Sequence, residues 1–285
     1  MSKEILSLCR KYVERIVGKY SCKYFCKVYS AKYNFVLFKG DIRLEGILQL
    51  SSNKTVALVP AYNEEARIAP VLEVITSCSL VNETIVIDDG SKDRTSQKAA
   101  AFPVKIIRFE QNMGKGAALQ AGLEAAPDAA YYIFLDADLL HLRHEHIEKL
   151  LSPLCETEPA AMTIGTFRDG DKTKVNLAQH YFSILNGQRA LSRGFVEILP
   201  DLSWSRFGVE ILLTKYAKLA EKKVAYPELK GLTHVTKEEK LGICRGFCYR
   251  MQMYRECLFS LFYYKRMIKL HPGNVPPEIL RRLIA

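Results

Sequence analysis

The sequence of 285 residues has no apolar stretch near the roughly 18–20 residues that a transmembrane helix needs. Its beginning, MSKEILSLCRKYVERIV, carries charges throughout and lacks the small-residue cleavage site of a secretory signal. No fixed-period repeat or low-complexity tract is visible in the sequence. From these absences we expect neither a membrane-spanning, a secreted nor a repeat protein, and we expect a cytoplasmic location.

The eight cysteines include no CxxC pair. Cys22 and Cys26 are four positions apart, as are Cys244 and Cys248, a spacing at which two ligands could share one helical face. The usual spacings of four-cysteine zinc sites differ from this. We therefore expect reduced, partly buried thiols, with a zinc site as the alternative.

Hydrophobic residues make up 48% of the chain and charged residues 25%, which permits a sizeable core. The net charge of +10 is unevenly distributed. Residues 1–50 and 236–285 each contain ten Lys or Arg against four acids, whereas 51–235 contains 21 against 23. Strongly basic ends around a nearly neutral middle predict contact with a polyanion or an anionic membrane through the appendages.

The hydrophobic pattern divides the chain into a basic N-terminal extension (1–52), a central domain (53–236) and a basic, aromatic C-terminal extension (237–285). Helical spacing is present in 1–30, and 33–50 is predicted to form one or two short strands. In the central domain, short apolar runs alternate with helical stretches. The predicted strands are 55–60, 83–88, 104–109 and 131–135. The predicted helices are 64–78, one beginning near residue 91, and 114–126. This alternation predicts a parallel sheet covered on both faces, with ligands beyond the carboxyl ends of the strands.

Beyond residue 150 we predict a strand at 161–167, a helix at 209–221, a strand at 224–226 and a long helix at 239–270. The last helix has an apolar face formed by Phe247, Met251, Tyr254, Leu258 and Leu261. One interpretation is a helix packed on the central domain with a solvated basic side. A second is an element that lies on an anionic membrane surface. Nucleic acid is the third and least favoured partner, because no nucleic-acid-binding motif accompanies the charge.

Two aspartates follow the fourth predicted strand, in FLDADLL. Asp136 and Asp138 are two positions apart, so their side chains project to the same side of an extended chain. The carboxylates repel each other unless a cation neutralises them, and a divalent cation that prefers hard oxygen ligands does so while keeping positions open for a diphosphate. A solvated turn with helix-capping aspartates is the alternative.

The other predicted strands also end in candidate ligand-binding residues. Pro60 cannot donate to a sheet ladder, so pairing is expected to stop there and to leave the backbone of Ala61 free for a ligand. Asp89 lies in a tight turn, where Ser91 is also a good helix cap. Lys115 stands between two glycines at a helix start, where phosphate binds favourably. The P-loop pattern GxxxxGK[ST] is not matched here.

The motifs VPAYNEE, DDGSKDRT, GKGAAL and DAD, in this order and spacing, resemble those of the family 2 glycosyltransferases and related enzymes with the nucleotide-sugar-binding fold called GT-A. The resemblance is clear over 54–167 and weaker to about 235. It implies an α/β, GT-A-type fold with a mostly parallel central sheet and helical N- and C-terminal appendages. It also implies transfer of a sugar from a nucleoside diphosphate sugar, with UDP favoured, and a requirement for Mg²⁺ or Mn²⁺.

The resemblance further implies the role of each matching residue. The donor-binding residues would be Pro60, Ala61, Glu64, Asp89, Lys115 and Asp136. Asp89 would face the base, and Lys115 would approach the nucleotide or its phosphates. Asp136 and Asp138 would form the DxD pair that holds the metal ion against the donor diphosphate, which makes Asp138 a catalytic residue. A cation there would stabilise the charge that builds on the leaving diphosphate.

Three later segments resemble particular branches of these enzymes. SRFGVEILL resembles the GVE segment of the retaining enzymes that make glucosyl- or mannosyl-phosphoglycerate, which implies that Glu210 is catalytic and contacts the donor sugar. KGLTHV places His234 where that branch has a metal-ligating histidine. NGQRALSR resembles a stretch of polyprenyl-phosphate glycosyltransferases, which implies that Arg189 binds the acceptor phosphate. The acceptor loop of the phosphoglycerate enzymes and the Glu-Asp pair of many inverting members are not found, so inversion or retention stays open.

The acceptor is accordingly open between a polyprenyl phosphate or another membrane-borne phosphate, which the basic ends favour, and a soluble glycerate phosphate. Peripheral binding to the inner face of a membrane goes with the first alternative. Two other functions compete with glycosyl transfer. A sugar-nucleotide pyrophosphorylase would need a GxGTR-type loop where this chain has PAYNEE. A non-catalytic nucleotide-sugar-binding scaffold would be favoured by loss of a DxD aspartate, and both are present.

Overall fold

The computed structural model describes residues 53–168, 186–234 and 243–283, together with two short strands near the N-terminus. The chain divides into two compact units, Met1–Ile42 and Arg43–Ala285. The C-terminal extension that we predicted as a separate region therefore belongs to the same compact unit as the central domain.

In the first unit, strand β1 (Ser30–Ala31) pairs antiparallel with β2 (Asn34–Phe35). The helix predicted for 1–30 lies outside the described residues except at its last position, which belongs to β1. The strands predicted for 33–50 are described only at β2.

The second unit is built on a seven-stranded sheet with the order β11-β8-β10-β6-β3-β4-β5. Its strands are β3 (Thr55–Ala61), β4 (Glu83–Asp88), β5 (Lys105–Arg108), β6 (Tyr131–Phe134), β8 (Met162–Ile164), β10 (Arg189–Ser192) and β11 (Val224–Ala225). Strand β10 runs antiparallel to its neighbours β6 and β8, and the other pairings are parallel. Two small sheets pair β7 (Leu139–Leu140) with β13 (Thr233–His234) and β9 (Thr166–Arg168) with β12 (Glu228–Lys230). The prediction of a mostly parallel central sheet is confirmed.

Apolar side chains on both faces explain why the central strands form continuous hydrophobic runs. In β3, Val56 and Leu58 pack into the core on one face, whereas Ala57 and Val59 pack into the core on the other. Successive side chains of a strand point to opposite faces, so a strand buried on both sides cannot alternate between apolar and polar residues.

Helices cover both faces of this sheet. They are α1 (Ile68–Ser77), α2 (Thr95–Ala99), α3 (Lys115–Glu124), α4 (His144–Leu151), α5 (Arg193–Val196), α6 (Val209–Leu219), α7 (Ile243–Leu270) and α8 (Pro277–Arg282). Helices α1 and α2 begin four residues later than predicted, because the residues before them form connected loops. Helix α4 and strand β10 were not predicted. The strand predicted for 161–167 is divided into β8 and β9.

The C-terminal helices pack into one of the two cores. Ile268 of α7 is fully buried, and Val275, Ile279 and Leu283 join the same cluster. Helix α7 also approaches the backbone closely at Gly208, where an added Cβ would overlap the side chain of the buried Ser260. Small side chains therefore form part of the contact between α7 and the rest of the unit.

Three of the five side chains on the apolar face predicted for α7 are exposed. Met251, Tyr254 and Leu258 are 49%, 42% and 53% exposed, whereas Cys257 and Ser260 are buried. None of the helices in the described part of the chain is both long enough and apolar enough to cross a membrane.

Candidate active site

Hydrogen bonds join the loop after β3 to the loop after β4. The amide of Asn63 donates to Ser91 Oγ at 2.9 Å, and the amide of Glu64 donates to Thr95 Oγ1 at 2.8 Å. In the other direction, the amide of Lys92 donates to Asn63 Oδ1 at 2.9 Å. The two motifs PAYNEE and DDGSKDRT thus form one connected edge at the carboxyl ends of adjacent parallel strands.

The same loops place three of the predicted donor-binding residues. Pro60 is half-buried and Ala61 is buried. The carbonyl of Ala61 accepts a hydrogen bond from the amide of Asp89 at 2.9 Å, so it is not left free for a ligand as we expected. The Glu64 side chain is also largely buried, and its Oε2 lies 3.5 Å from Arg67 Nη1.

The Asp89 carboxylate organises the loop that leads into α3. Its Oδ1 accepts from the amide of Met113 at 2.6 Å, and its Oδ2 accepts from the amide of Gly114 at 2.9 Å and from Asn112 Nδ2 at 2.8 Å. Burial raises the pKa of Asp89, although these hydrogen bonds favour the charged form. A carboxylate has about four lone-pair positions, so three bonds leave room for about one more donor.

A partly buried ion-pair network lies between α3, the end of β6 and the start of α6. Lys115 Nζ is 2.6 Å from Asp136 Oδ1 and 2.7 Å from Glu210 Oε1. Burial by itself would lower the pKa of Lys115, but the charges of Asp136 and Glu210 and their hydrogen bonds raise it above its ordinary value. The ammonium is therefore charged at neutral pH and holds together two carboxylates from distant parts of the sequence.

Gln188 and Gly187 complete the surroundings of Asp136. Gln188 Nε2 donates to Asp136 Oδ2 at 2.7 Å, and Gln188 Oε1 accepts from the Asp136 amide at 3.1 Å. A Cβ added at Gly187 would lie 2.7 Å from Asp136 Oδ2 and closer still to Lys115 Nζ. Only glycine fits at this position while the ion pair keeps its place.

Of the predicted metal ligands, the structure brings the backbone of His234 close to that of Asp138. Strand β13 pairs with β7 so that His234 lies opposite Leu139, the residue next to Asp138. Both oxygens of Asp136 are already bonded, to Lys115 and to Gln188. In the portion of the chain that the structure describes, no three His, Cys, Asp or Glu side chains form a ready metal site. Carboxylate and imidazole groups, the kinds of side chain that Asp136, Asp138 and His234 carry, suit Mg²⁺ or Mn²⁺.

Arg189 does not reach the position predicted for it. The side chain is fully buried inside the unit, with Nε donating to the Asn186 carbonyl and Nη1 donating to Thr214 Oγ1, each at 2.9 Å. Burial lowers its pKa to about 10. A guanidinium that solvent cannot reach cannot bind an acceptor phosphate in this conformation, so the structure assigns Arg189 to internal packing instead.

Sequence reasoning missed three residues of this region. Gln188 stands immediately before the arginine that we selected, and Asn112 immediately follows the polar run after β5. Arg206 lies two residues before the GVE segment, and its Nη2 donates to Asn112 Oδ1 at 3.1 Å. The sequence indicated these three residues only by their positions beside recognised motifs. Each forms hydrogen bonds to another residue of the site, and no sequence motif predicts such contacts.

Comparison with known proteins identifies the family. Residues 56–208, more than half of the chain, match Glycosyl transferase family 2. The chain is 30% identical over 143 residues to a dolichyl-phosphate beta-glucosyltransferase of Trichomonas vaginalis, covering 45% of this chain and 42% of that protein. It is 34% identical over 127 residues to the glucosyl-3-phosphoglycerate synthase of Mycolicibacterium smegmatis, covering 41% and 42%. These matches span less than half the length of the curated relatives.

Solved structures of glucosyl-3-phosphoglycerate synthase from Mycobacterium tuberculosis share the fold. A complex with Mn²⁺, UDP and glucosyl-3-phosphoglycerate matches with a TM-score of 0.62 and 25% identity, covering 81% of this chain and 84% of that one. A complex with Mn²⁺, UDP-glucose and glycerol 3-phosphate matches with a TM-score of 0.63 and 25% identity, covering 81% and 85%. The chain belongs to glycosyl transferase family 2, and the predictions of family and fold are confirmed.

Proposed function

We propose that the chain transfers a sugar from a UDP-sugar to a phosphorylated acceptor. The observation that carries this proposal is the network in which Lys115 joins Asp136 to Glu210 at the carboxyl end of the sheet. A partly buried ammonium that stays charged at neutral pH at that edge would stabilise the negative charge that grows on a departing diphosphate. Glu210, held by the same ammonium, has the acceptor oxygens to bind hydroxyl groups of the donor sugar.

The site also suits a divalent cation. The carboxylates of Asp136 and Glu210 share the single ammonium of Lys115, which leaves this group with one negative charge in excess. Asp138 and His234 would hold Mg²⁺ or Mn²⁺, with Asp136 kept in position by Lys115 and Gln188. Such an ion would act as a Lewis acid toward the diphosphate. The solved relatives with Mn²⁺ or Mg²⁺ and UDP support this choice.

The direct test is nucleotide release. Purified protein would be incubated with UDP- and GDP-sugars, with and without Mn²⁺, and with 3-phosphoglycerate, glycerol 3-phosphate or vesicles containing a polyprenyl phosphate. Acceptor-dependent release of UDP supports the proposal and identifies the acceptor class. Tight UDP binding without release under any condition would favour the scaffold alternative.

For the nucleotide, we predict that UDP binds more tightly than GDP. Asp89 has about one acceptor position left, which matches the single imide N–H of uracil, whereas guanine presents two neighbouring donors. Calorimetry with both diphosphates measures the difference. Tighter binding of GDP by tenfold, about 1.4 kcal/mol, would reverse the assignment.

For the acceptor, we favour a membrane-borne phosphate over a soluble glycerate phosphate. The outward face of α7 exposes apolar side chains, among them Met251, Leu258, Phe259, Phe262 and Tyr263. Exposed cations on the same helix are Arg255, Lys265, Arg266 and Lys269. Aromatic and aliphatic groups mixed with Lys and Arg are the composition of helices that lie on anionic bilayers. The relative that acts on dolichyl phosphate supports this acceptor class.

Flotation with anionic vesicles checks the membrane contact. We expect the protein to float with phosphatidylserine vesicles at low salt and less at high salt, because salt screens exposed charges. Phe262→Ser should weaken flotation, since this side chain is 74% exposed on α7, whereas Tyr226→Ser, which removes a 52% exposed aromatic outside α7, should not. Protein that stays in the soluble fraction at low salt would instead favour the soluble acceptor.

A further inference from the structure

Arg206 connects three segments that are far apart in the sequence. Its Nε lies 3.2 Å from Glu256 Oε1 on α7. Its Nη1 donates to the carbonyl of Met113 at 3.2 Å, and its Nη2 donates to Asn112 Oδ1 at 3.1 Å. The stem of the side chain also packs on Gly114, where an added Cβ would lie 2.9 Å from Arg206 Cγ. The C-terminal helix is thereby joined to the loop that begins α3.

The backbone of Arg206 is strained. Its φ of 47° and ψ of −121° belong to a region that favours glycine. A residue with a long side chain persists there only if the surrounding contacts compensate for the strain. The bonds of the guanidinium to Glu256, Met113 and Asn112 are such contacts.

The loop that Arg206 holds is the one that surrounds Asp89. Asn112 uses both ends of its amide, accepting from Arg206 with Oδ1 and donating to Asp89 Oδ2 with Nδ2. Met113 does the same with its backbone, because its carbonyl accepts from Arg206 and its amide donates to Asp89 Oδ1. Two parallel paths of hydrogen bonds therefore run from Arg206 to the carboxylate.

Glu256 is fixed at the other end of this connection. Its Oε2 accepts from the amide of Phe207 at 3.3 Å, and the neighbouring Cys257 Sγ lies 3.5 Å from the Phe207 carbonyl. The close contact between Ser260 and Gly208 restricts the position of α7 along its own axis. Helix α7 thus presents Glu256 to Arg206 in one defined position.

We propose that Arg206 and Glu256 are positioning residues for the nucleotide, and that α7 sets the affinity of the donor site through them. This inference rests on the proposed function, since it assigns the base of UDP to Asp89. Helix α7 is then a component of donor recognition and not only an appendage. The pair acts on the base end of the donor, while the Lys115 network acts on the diphosphate end.

Calorimetry of UDP binding tests this inference with Arg206→Met and Glu256→Gln. We expect Arg206→Met to weaken UDP at least about fivefold and Glu256→Gln about threefold, with less than additive loss in the double variant because both residues act along one path. The preference for UDP over GDP should fall in parallel. In turnover, KM for the UDP-sugar should rise while kcat changes little, which general loosening of the fold would not produce.

Two further variants separate positioning from folding. Arg282→Met removes an ion pair with Glu221, 2.9 Å long, and a bond from α8 to the Leu219 carbonyl, so it loosens a C-terminal tether without touching the donor loop. UDP affinity should be unchanged in this variant. Arg206→Gly relieves the backbone strain and should fold well, yet bind UDP as weakly as Arg206→Met.

The outcomes are distinguishable. Unchanged UDP affinity and UDP/GDP preference in Arg206→Met and Arg206→Gly would overturn the inference and leave the proposed function intact. An equal loss of UDP affinity in Arg282→Met would also overturn the inference, because it would show that loosening any C-terminal contact weakens UDP binding. A wild-type protein that binds no UDP would overturn the proposed function itself.

Discussion

Asp138→Ala is expected to abolish sugar transfer while the protein stays folded. Asp138 follows the fourth predicted strand, and the β7–β13 register brings His234 opposite the next residue. In the proposed site, losing this carboxylate would weaken binding of the cation that would stabilise the leaving diphosphate, an effect of several kcal/mol and hence a rate loss of about a thousandfold or more. Turnover with Mn²⁺ and with chelator measures it, and circular dichroism checks the fold.

A matched control for this experiment is Asp128→Asn. Asp128 is an exposed carboxylate that pairs with Lys54 at 3.0 Å, and its replacement should leave turnover unchanged. Wild-type transfer that continues in the presence of chelator, or an Asp138→Ala protein that transfers at the normal rate, would be incompatible with a metal role for this residue.

Lys115→Met is expected to reduce both transfer and stability. Without the ammonium, the carboxylates of Asp136 and Glu210 face each other with no intervening cation. Removing one partner of a fully buried ion pair costs about 3–5 kcal/mol, and the loss here should be smaller because Asp136 is 29% exposed and Lys115 is 14% exposed. Transfer should fall by at least about a hundredfold, the effect of losing one electrostatic stabiliser of the transition state. Urea unfolding and turnover, measured on the same protein, give the two losses separately.

The double variant Lys115→Met/Glu210→Gln distinguishes catalysis from folding. Neutralising Glu210 removes the repulsion that the first substitution creates, so part of the lost stability should return. Transfer should not return, because neither the ammonium nor the carboxylate is restored. A Lys115→Met protein with normal turnover would show that this network has only a structural role.

The strands and loops that carry the site could be predicted from the sequence because local signals specify them. Strand β4 occupies 83–88 as predicted, and β3 and β6 differ from prediction by one residue. The ion pair between Lys115 and Glu210 was not predicted, because the residues are 95 positions apart and nothing local indicates that the ends of α3 and α6 meet. Lys115 and Glu210 were each predicted to contact the donor, but not to contact each other.

The assignment of Arg189 failed because strand β10 was not recognised. Side chains of a strand alternate between faces, so a choice between adjacent residues decides which one enters the site. The antiparallel pairing of β10 with β6 and β8 directs Arg189 toward Met162 and Thr214, and Gln188, one residue earlier, bonds Asp136 instead. The hydrophobic pattern of a strand of only four residues does not specify such a register.

Helix α7 illustrates a second limit of hydrophobic patterns. The larger apolar side chains predicted one face as the packing face, but Ser260 packs against Gly208 and Cys257 lies beside the Phe207 carbonyl. Close approach of a helix to backbone requires small side chains, which contribute little to a hydrophobic pattern. The exposed aromatic face is therefore available for the membrane contact that we propose.

Glycosyl transfer by this protein is tested by measuring acceptor-dependent release of UDP from a UDP-sugar by the wild-type protein, in the presence of Mn²⁺ and again after chelation. We predict release with at least one phosphorylated acceptor, lost on chelation and restored when the metal is added back. Release that is independent of metal would contradict the role of Asp138, and no release with any UDP-sugar and phosphorylated acceptor would contradict the proposed glycosyl transfer.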